Sequence, residues 1–248
     1  RHLDETPFLF CNWETAELIK YASNGFLATK ITFMNQMSQL AECVGADVAT
    51  LAKGLGMDNR IGPLFLQAGP GYGGSCFPKD TIALVRTGER CGASMTLIRE
   101  VIRANEAHKA RMADKVERLA GPLAGRTVAL LGLAFKAGTD DVRESPALVI
   151  AEELLGRGAR VRVHDPKAME NAKRQLGDRV VYCADEFEAL TGAHAVVLAT
   201  EWNEYRNLDL ERARELMAAP ALVDLRNLVE PATARALGFA YDGVGYAG

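Results

Sequence analysis

The stretch Gly121-Pro122-Leu123-Ala124-Gly125-Arg126-Thr127-Val128-Ala129-Leu130-Leu131-Gly132 divides this chain into two parts with different hydrophobic periods. The glycines and the proline end a long helical pattern, because both residue types disfavour a helix interior. The apolar run that follows is typical of a buried β-strand. We therefore place a domain boundary between residues 119 and 120.

The two sides of this break predict different fold classes. Apolar residues before it recur at helical spacing, whereas strands and helices alternate after it, which is typical of βαβ units and a mostly parallel sheet. The sequence therefore predicts an all-α domain over residues 1–119 and an α/β Rossmann-like domain over residues 120–248. The predicted helices cover residues 14–44, 47–55, 78–90, 96–119, 146–157, 185–190 and 210–217, and the predicted strands cover 127–132, 159–164, 180–182, 195–198 and 221–224.

Composition narrows the class of protein. The chain has 248 residues, of which 48% are hydrophobic, and a net charge of −3 that does not suggest a nucleic-acid partner. Its five cysteines are odd in number and form no CxxC pair, and its four histidines show no metal-ligand spacing, so we predict no disulfide framework and no metal site. Such cysteine usage predicts a reducing cytoplasm. No apolar run reaches the roughly 18 to 20 residues that span a bilayer, so we expect no membrane segment.

One cysteine lies where a reactive thiol is expected. Cys76 follows a glycine-rich turn and precedes Pro78, which suits the first turn of a helix. Unpaired N–H groups at a helix N-terminus favour an anion such as a thiolate. The alternative is a surface turn whose cysteine only packs against the helix.

A second pair of polar residues opens an otherwise apolar stripe. Lys20 and Asn24 are four residues apart, so both project from one face of the first predicted helix. Their N–H groups suit a site where negative charge develops. Alternatively, Lys20 extends its ammonium group out to solvent.

Other polar residues have structural interpretations. Asp47 is a predicted N-cap of the second helix, and Ser94 or Thr96 of the fourth. Asp165 lies 33 residues after Gly132, not about 20 as a ribose-binding acid would, so we predict that it caps a turn. His108 is expected to be solvated, while Trp13 and Trp202 are expected to pack in the interior.

Three segments, in this order, resemble the nucleotide-sugar 6-dehydrogenase family and together span most of the chain. They are ELIKYASNGFLATKI at 17–31, GYGGSCFPKD at 71–80 and FKAGTDDVRESP at 135–146. The resemblance implies oxidation of a sugar C6 alcohol to a carboxylate with two NAD per substrate. The sequence of residues 24–28 and 76–78 favours UDP-glucose as the substrate, with GDP-mannose and UDP-N-acetylmannosamine as alternatives.

The resemblance also implies roles for individual residues. Cys76 would carry the sugar as a thiohemiacetal and then a thioester. Lys20 and Asn24 would stabilise the oxyanion, and Asp80 would act as general base or orient water; alternatively, Asp80 only stabilises the helix dipole. The implied substrate-binding residues are Arg60, Tyr72, Gly73, Phe135, Lys136 and Arg226, with Arg60 reaching the neighbouring subunit's substrate unless it is merely a solvated loop arginine. Lys79 and Arg143 would contact NAD.

The resemblance begins after the family's N-terminal NAD-binding domain. It implies that this chain is the central and C-terminal part of a longer polypeptide, inactive alone, and that it forms a homodimer through its helical domain. One departure is Gln36, where the family often has an acid. The alternative of a different class is a non-catalytic module for nucleotide-sugar binding or dimerisation. NAD binding by the isolated chain is the discriminating measurement, and a fragment of the enzyme is expected to bind NAD very weakly or not at all.

Overall fold

The computed structural model describes residues 7–246, and its first part is helical as predicted. Four helices form this part, and the third contacts both the first and the fourth. These helices are α1 (Trp13–Val44), α2 (Val48–Gly56), α3 (Phe77–Arg90) and α4 (Thr96–Ala120).

Local sequence explains most of the helix ends. Asn12 caps α1 by accepting a hydrogen bond from the Thr15 amide at 3.1 Å, and Gly45 ends it with a left-handed φ of 73°. Asp47 caps α2 through the Thr50 amide, as predicted. The predicted N-cap residue of α4 was wrong, because Met95 holds that position and no side chain caps that end of the helix.

The second part is a six-stranded sheet in which every strand pair is parallel. The strand order β3-β2-β1-β4-β5-β6 is that of a doubly wound dinucleotide-binding fold, which confirms the Rossmann-like prediction. The strands are β1 (Thr127–Leu131), β2 (Arg160–His164), β3 (Val181–Tyr182), β4 (Ala195–Leu198), β5 (Ala221–Asp224) and β6 (Ala240–Gly243). The helices are α5 (Pro146–Gly156), α6 (Met169–Leu176), α7 (Glu186–Leu190), α8 (Asn203–Arg206), α9 (Leu210–Leu216) and α10 (Pro231–Ala236), with a 3-10 turn at Gly177–Arg179.

Four of these elements were not predicted from the sequence: α6, α8, α10 and β6. Helix α6 buries only Ala172 and Leu176, so its apolar signal is weak. Strand β6 contains a buried aspartate, Asp242, which interrupts the apolar run expected of an interior strand.

The long helix α4 joins the two parts. Its C-terminal half, including Met112 and Val116, packs into the same apolar core as the strands. Its Lys115 is buried, and Nζ lies 2.8 Å from Glu42 Oε1 on α1 and 2.7 Å from Asp242 Oδ1 on β6. One ammonium group therefore binds carboxylates of both parts.

The burial of the two tryptophans tests the prediction that both pack in the interior. Trp202 is buried and donates its indole N–H to Asp165, as a packing residue with one polar partner does. Trp13 is 87% exposed, so the prediction that it packs inside was wrong; it is the first residue of α1, before the helix reaches its neighbours. Among residues 7–246, no helix is both long enough and apolar enough to cross a membrane.

Candidate functional site

Cys76 is an exposed residue at the N-terminal end of α3. It is the N-cap residue, and Pro78 falls in the first turn, one position later than predicted. The Ser75 hydroxyl lies 3.8 Å from the Cys76 sulfur. The thiol is thus open to a reactant and next to unpaired helix N–H groups.

The loop before Cys76 is wedged against the second domain. A Cβ at Gly73 would lie 2.2 Å from the backbone oxygen of Glu144, and one at Gly74 would lie 2.7 Å from the Phe135 ring. The Gly74 amide also donates to the Arg143 carbonyl at 2.9 Å. Glycine is therefore required because the backbone of another domain occupies the space of a side chain.

Three of the residues predicted to be catalytic have side chains linked by hydrogen bonds beside this loop. Lys20 Nζ lies 3.3 Å from Asn24 Oδ1, and Asn24 Nδ2 donates to Asp80 Oδ2 at 2.5 Å. Asp80 lies one turn after Cys76, and its amide donates to the Cys76 carbonyl at 3.0 Å. The structure thus brings residues of α1 and α3 together although they are 56 positions apart.

Asp80 is held in its charged form. Burial raises its pKa, but hydrogen bonds from Lys79 and Asn24 outweigh burial and hold the pKa below its usual value. Lys79 Nζ contacts Asp80 Oδ1 at 2.5 Å, and this bond raises the pKa of the lysine. The site therefore presents a carboxylate that is ionised at neutral pH and can accept a proton.

A cavity of about 470 Å³ opens next to these hydrogen-bonded side chains, between the helices and the sheet. Aromatic side chains line one part of it, with the rings of Phe65 and Tyr72 both edge-on to Phe77 at 6.2 and 6.0 Å. Burial raises the pKa of Tyr72 to about 12, so its hydroxyl stays protonated at neutral pH. Such a lining suits a ligand with a flat or apolar portion.

The sheet side of the cavity is cationic. Lys136, Arg206 and Arg226 line it, of which Lys136 and Arg226 were predicted and Arg206 was not. Arg226 donates to the Ala199 and Phe135 carbonyls at 2.9 and 3.1 Å, and its Nε lies 3.1 Å from Glu201. Burial lowers the pKa of Arg226, yet a guanidinium stays protonated in proteins, so the cavity keeps a fixed positive charge for an anionic ligand.

Three buried side chains hold the loop from Gly69 to Tyr72, and none was predicted. Asn35 Oδ1 accepts from the Gly69 amide at 2.9 Å, and His108 Nε2 lies 2.8 Å from the Gly69 carbonyl. Asn105 accepts from the Tyr72 amide and donates to its carbonyl at 2.9 and 3.1 Å. The expectation of a solvated His108 was wrong, because the loop folds back over α4 and buries it; that burial lowers its pKa.

Two predicted arginines lie outside the cavity. The side chain of Arg60 is 89% exposed and pairs with Asp58 at 2.6 Å, so it reaches no group of this chain's own cavity. Arg143 is also exposed and pairs with Asp141 at 2.7 Å, and this bond is the main cause of its raised pKa, with a minor contribution from nearby Cys76. The pKa of Lys79 is raised mainly by its bond to Asp80, and Cys76 again contributes less. Lys79 and Arg143 are thus two exposed cations near Cys76.

The amides after β1 that would bind the pyrophosphate of a dinucleotide are already bonded within the protein. The amides of Leu133 and Ala134, which would face a pyrophosphate after β1, donate to Asp165 Oδ2 at 2.7 and 3.0 Å. Asp165 also accepts from the amides of Lys167 and Ala168, which supports the predicted turn-capping role. This carboxylate therefore occupies the place that an anionic ligand would take after β1. Within residues 7–246, no cluster of three histidine, cysteine or acidic side chains is arranged to bind a metal.

Comparisons with known proteins agree with this geometry. Residues 14–107 match the model of the UDP-glucose/GDP-mannose dehydrogenase family, central domain, and residues 129–231 match its UDP binding domain. The UDP-glucose 6-dehydrogenase of Rhizobium meliloti is 46% identical over 98% of this chain and 56% of its own length. A UDP-glucose dehydrogenase structure from Pyrobaculum islandicum superposes with a TM-score of 0.87 at 44% identity, over 98% of this chain and 54% of that one.

A more distant structure, a UDP-D-ManNAc dehydrogenase from Pyrococcus horikoshii, superposes with a TM-score of 0.82 at 27% identity. It is matched over 97% of this chain and 54% of its own. The chain therefore spans about half the length of the relatives that it matches.

Proposed function

Since the chain belongs to the UDP-glucose/GDP-mannose dehydrogenase family, we propose that it supplies the thiol site and the nucleotide-sugar site of an NAD-dependent UDP-glucose 6-dehydrogenase. The observation that carries the proposal is the connected chain of Lys20, Asn24 and Asp80 beside the exposed Cys76. A nucleophile, a base and oxyanion donors next to a cationic cavity are the groups that covalent oxidation of a sugar aldehyde requires.

UDP-glucose is preferred to other nucleotide sugars because of the graded similarity. The UDP-glucose 6-dehydrogenase of Rhizobium meliloti and the UDP-glucose dehydrogenase structure are 46% and 44% identical to this chain, whereas the UDP-D-ManNAc dehydrogenase structure is 27% identical. Lys136 and Arg226 would face the diphosphate, and Tyr72, Gly73 and Phe135 would line the sugar. GDP-mannose and UDP-N-acetylmannosamine are the alternatives if UDP-glucose fails.

The residues of this chain would act in sequence on the sugar C6. The Cys76 thiolate would add to a C6 aldehyde, while Lys20 and Asn24 would donate hydrogen bonds to the oxyanion that forms. Asp80 would later take a proton from the water that releases the acid from its thioester. NAD, when bound, supplies the hydride acceptor, and Lys79 and Arg143 would contact its anionic part.

We further propose a homodimer through the helical domain, located in the cytoplasm. The support for the dimer is a row of exposed apolar side chains on α1 at seven-residue spacing: Ile19, Phe26, Phe33 and Leu40. Such a row is the pattern by which helices pair. Arg60, free of its own cavity, would reach the partner's ligand. Catalysis by a free thiol suits a reducing compartment.

The test is the number of NADH formed per UDP-glucose consumed by the protein in its natural form. We expect a ratio of two, with formation abolished in Cys76→Ala and unchanged in Cys91→Ala, which alters an exposed cysteine at the other end of α3. UDP-glucose binding should survive in Cys76→Ala. Binding without any NADH in the wild type would instead support the non-catalytic module.

A further inference from the structure

A buried donor in the cavity has no partner among residues 7–246. Asn35 is 1% exposed, and its Nδ2 makes no hydrogen bond there. Its orientation is fixed, because Oδ1 must be the atom that accepts from the Gly69 amide at 2.9 Å. A buried N–H group without an acceptor is destabilising, so an acceptor from a ligand would remove that penalty.

Asn35 lines the cavity at a defined distance from the thiol site. It lies 11 residues after Asn24 on the same helix, which corresponds to about 16 Å along the axis. Ile31, between them, also lines the cavity. A ligand whose sugar C6 reaches Cys76 would therefore present its opposite end, beyond the phosphates, to Asn35.

The surroundings of Asn35 select the kind of acceptor. Gly69, which Asn35 contacts, lines the same cavity as Phe65 and Gly71, and an aromatic ring beside glycine backbone suits a flat ligand ring. The position His108 holds on the Gly69 carbonyl keeps that backbone fixed. A pyrimidine base offers carbonyl oxygens at its edge, and an amide N–H group is a good donor to them.

We infer that Asn35 Nδ2 donates a hydrogen bond to a carbonyl oxygen of the nucleobase and thereby selects the base of the nucleotide sugar. This inference rests on the proposed function, because it concerns the same cavity. It assigns Asn35 to substrate selection rather than to chemistry, since the residue lies a helix-length of three turns from Cys76.

The experiment is a double-mutant cycle between the protein and the ligand. Dissociation constants are measured for UDP, 2-thio-UDP and 4-thio-UDP with the wild type and with Asn35→Asp, which keeps an acceptor for Gly69 but removes the donor. Sulfur is a weak acceptor, so we expect one thio analogue to bind the wild type about tenfold more weakly than UDP. That difference should vanish in Asn35→Asp. His108→Leu loosens the same glycine from outside the cavity and should retain it.

Several results would overturn the inference. They are equal binding of all three nucleotides by the wild type, a thio effect that persists in Asn35→Asp, and a loss of inorganic pyrophosphate binding as large as the loss of UDP binding. If Asn35→Asp does not fold, Asn35→Ser replaces it, because a hydroxyl can still accept from Gly69. Failure of the wild type to bind UDP at all would refute the proposed function itself, and the inference with it.

Discussion

Gly73 is the single residue that allows the loop before Cys76 to pack against the backbone of the second part of the chain. The Glu144 backbone oxygen stands where a β-carbon would be, and Glu144 itself has a positive φ of 52°. Both sides of the contact are backbone, which cannot move as a side chain can. The loop conformation next to Cys76 therefore depends on a methyl group being absent.

Gly73→Ala should lower the free energy of unfolding by about 1–3 kcal/mol, the usual cost of inserting a methyl group into a packed site. It should also reduce turnover more than Cys91→Ala does. The measurement is urea denaturation, with Gly54→Ala as the control because nothing lies within 4 Å of that helical position. An unchanged free energy in Gly73→Ala would contradict the described contact.

Asp80 gives a second prediction, on pH dependence. Its pKa in the folded protein is lowered from 3.8, so the ionised carboxylate stabilises the fold above that value, and this stabilisation is lost as the pH falls through the lowered pKa. Lys79→Gln removes the bond that contributes most to the lowering. The free energy of unfolding should therefore fall less on acidification in this variant, because less charge-dependent stabilisation is present to be lost.

The check is the free energy of unfolding across the range from about pH 3 to about pH 7, where carboxylates titrate. Lys53→Gln, a lysine near the end of α2, is the matched control and should follow the wild type. Superimposable profiles for Lys79→Gln and the wild type would show that Lys79 does not hold Asp80 in its charged form.

At the scale of elements, α1 presents three faces with different surroundings. One stripe carries Lys20 and Asn24 to the thiol, another packs on α3 and α4, and Phe26 and Phe33 remain exposed on a third. A helix that is apolar on more than one face is expected to have a partner on each. The exposed row is the face that the proposed dimer would bury.

Phe33→Glu should convert the proposed dimer into a monomer, because it places a charge in the middle of the apolar row. Sedimentation velocity at micromolar protein measures the change. Val181→Glu, which alters an equally exposed apolar residue on β3, should leave the assembly as it is. A wild type that sediments as a monomer would refute the dimer.

Elements with a clear hydrophobic periodicity were predicted from the sequence. The reactive groups that lie in short sequence motifs were predicted as well. Helix α1, strand β1 and the group of Lys20, Asn24, Cys76 and Asp80 are of this kind. Asn35 and His108 were not predicted as site residues, because their roles depend on where residues 65–72 fold back. Strand β6 was missed because Asp242 is buried only through its pairing with Lys115. Such roles are set by tertiary contacts that local patterns do not contain.

At the scale of the whole molecule, Lys115 joins the two domains. Its ammonium group binds carboxylates of α1 and β6 and also donates to the Gly243 carbonyl at 2.9 Å. Removing one partner of a buried ion pair leaves uncompensated charge, which is strongly destabilising. We therefore expect the domains to unfold together in the wild type.

Lys115→Met should cost about 3–5 kcal/mol, the usual range for breaking a buried pair, and should separate the unfolding of the two domains. Two probes distinguish them: Trp202 fluorescence in a Trp13→Phe background reports the sheet, and pulsed amide hydrogen exchange along α1 reports the helical part. Their urea midpoints should coincide in the wild type and diverge in the variant. Coincident midpoints in Lys115→Met would assign the coupling to other contacts.

The contact between Gly73 and Glu144 also has a consequence for the order of events during synthesis. A ribosome delivers Cys76 well before residue 144, and the glycine loop has nothing to close against until that later segment has emerged and joined its sheet. A nascent or truncated chain would therefore carry the thiol without its reactive setting. The order of synthesis thus leaves the loop beside Cys76 without its packing partner until Glu144 has been made and its sheet has folded.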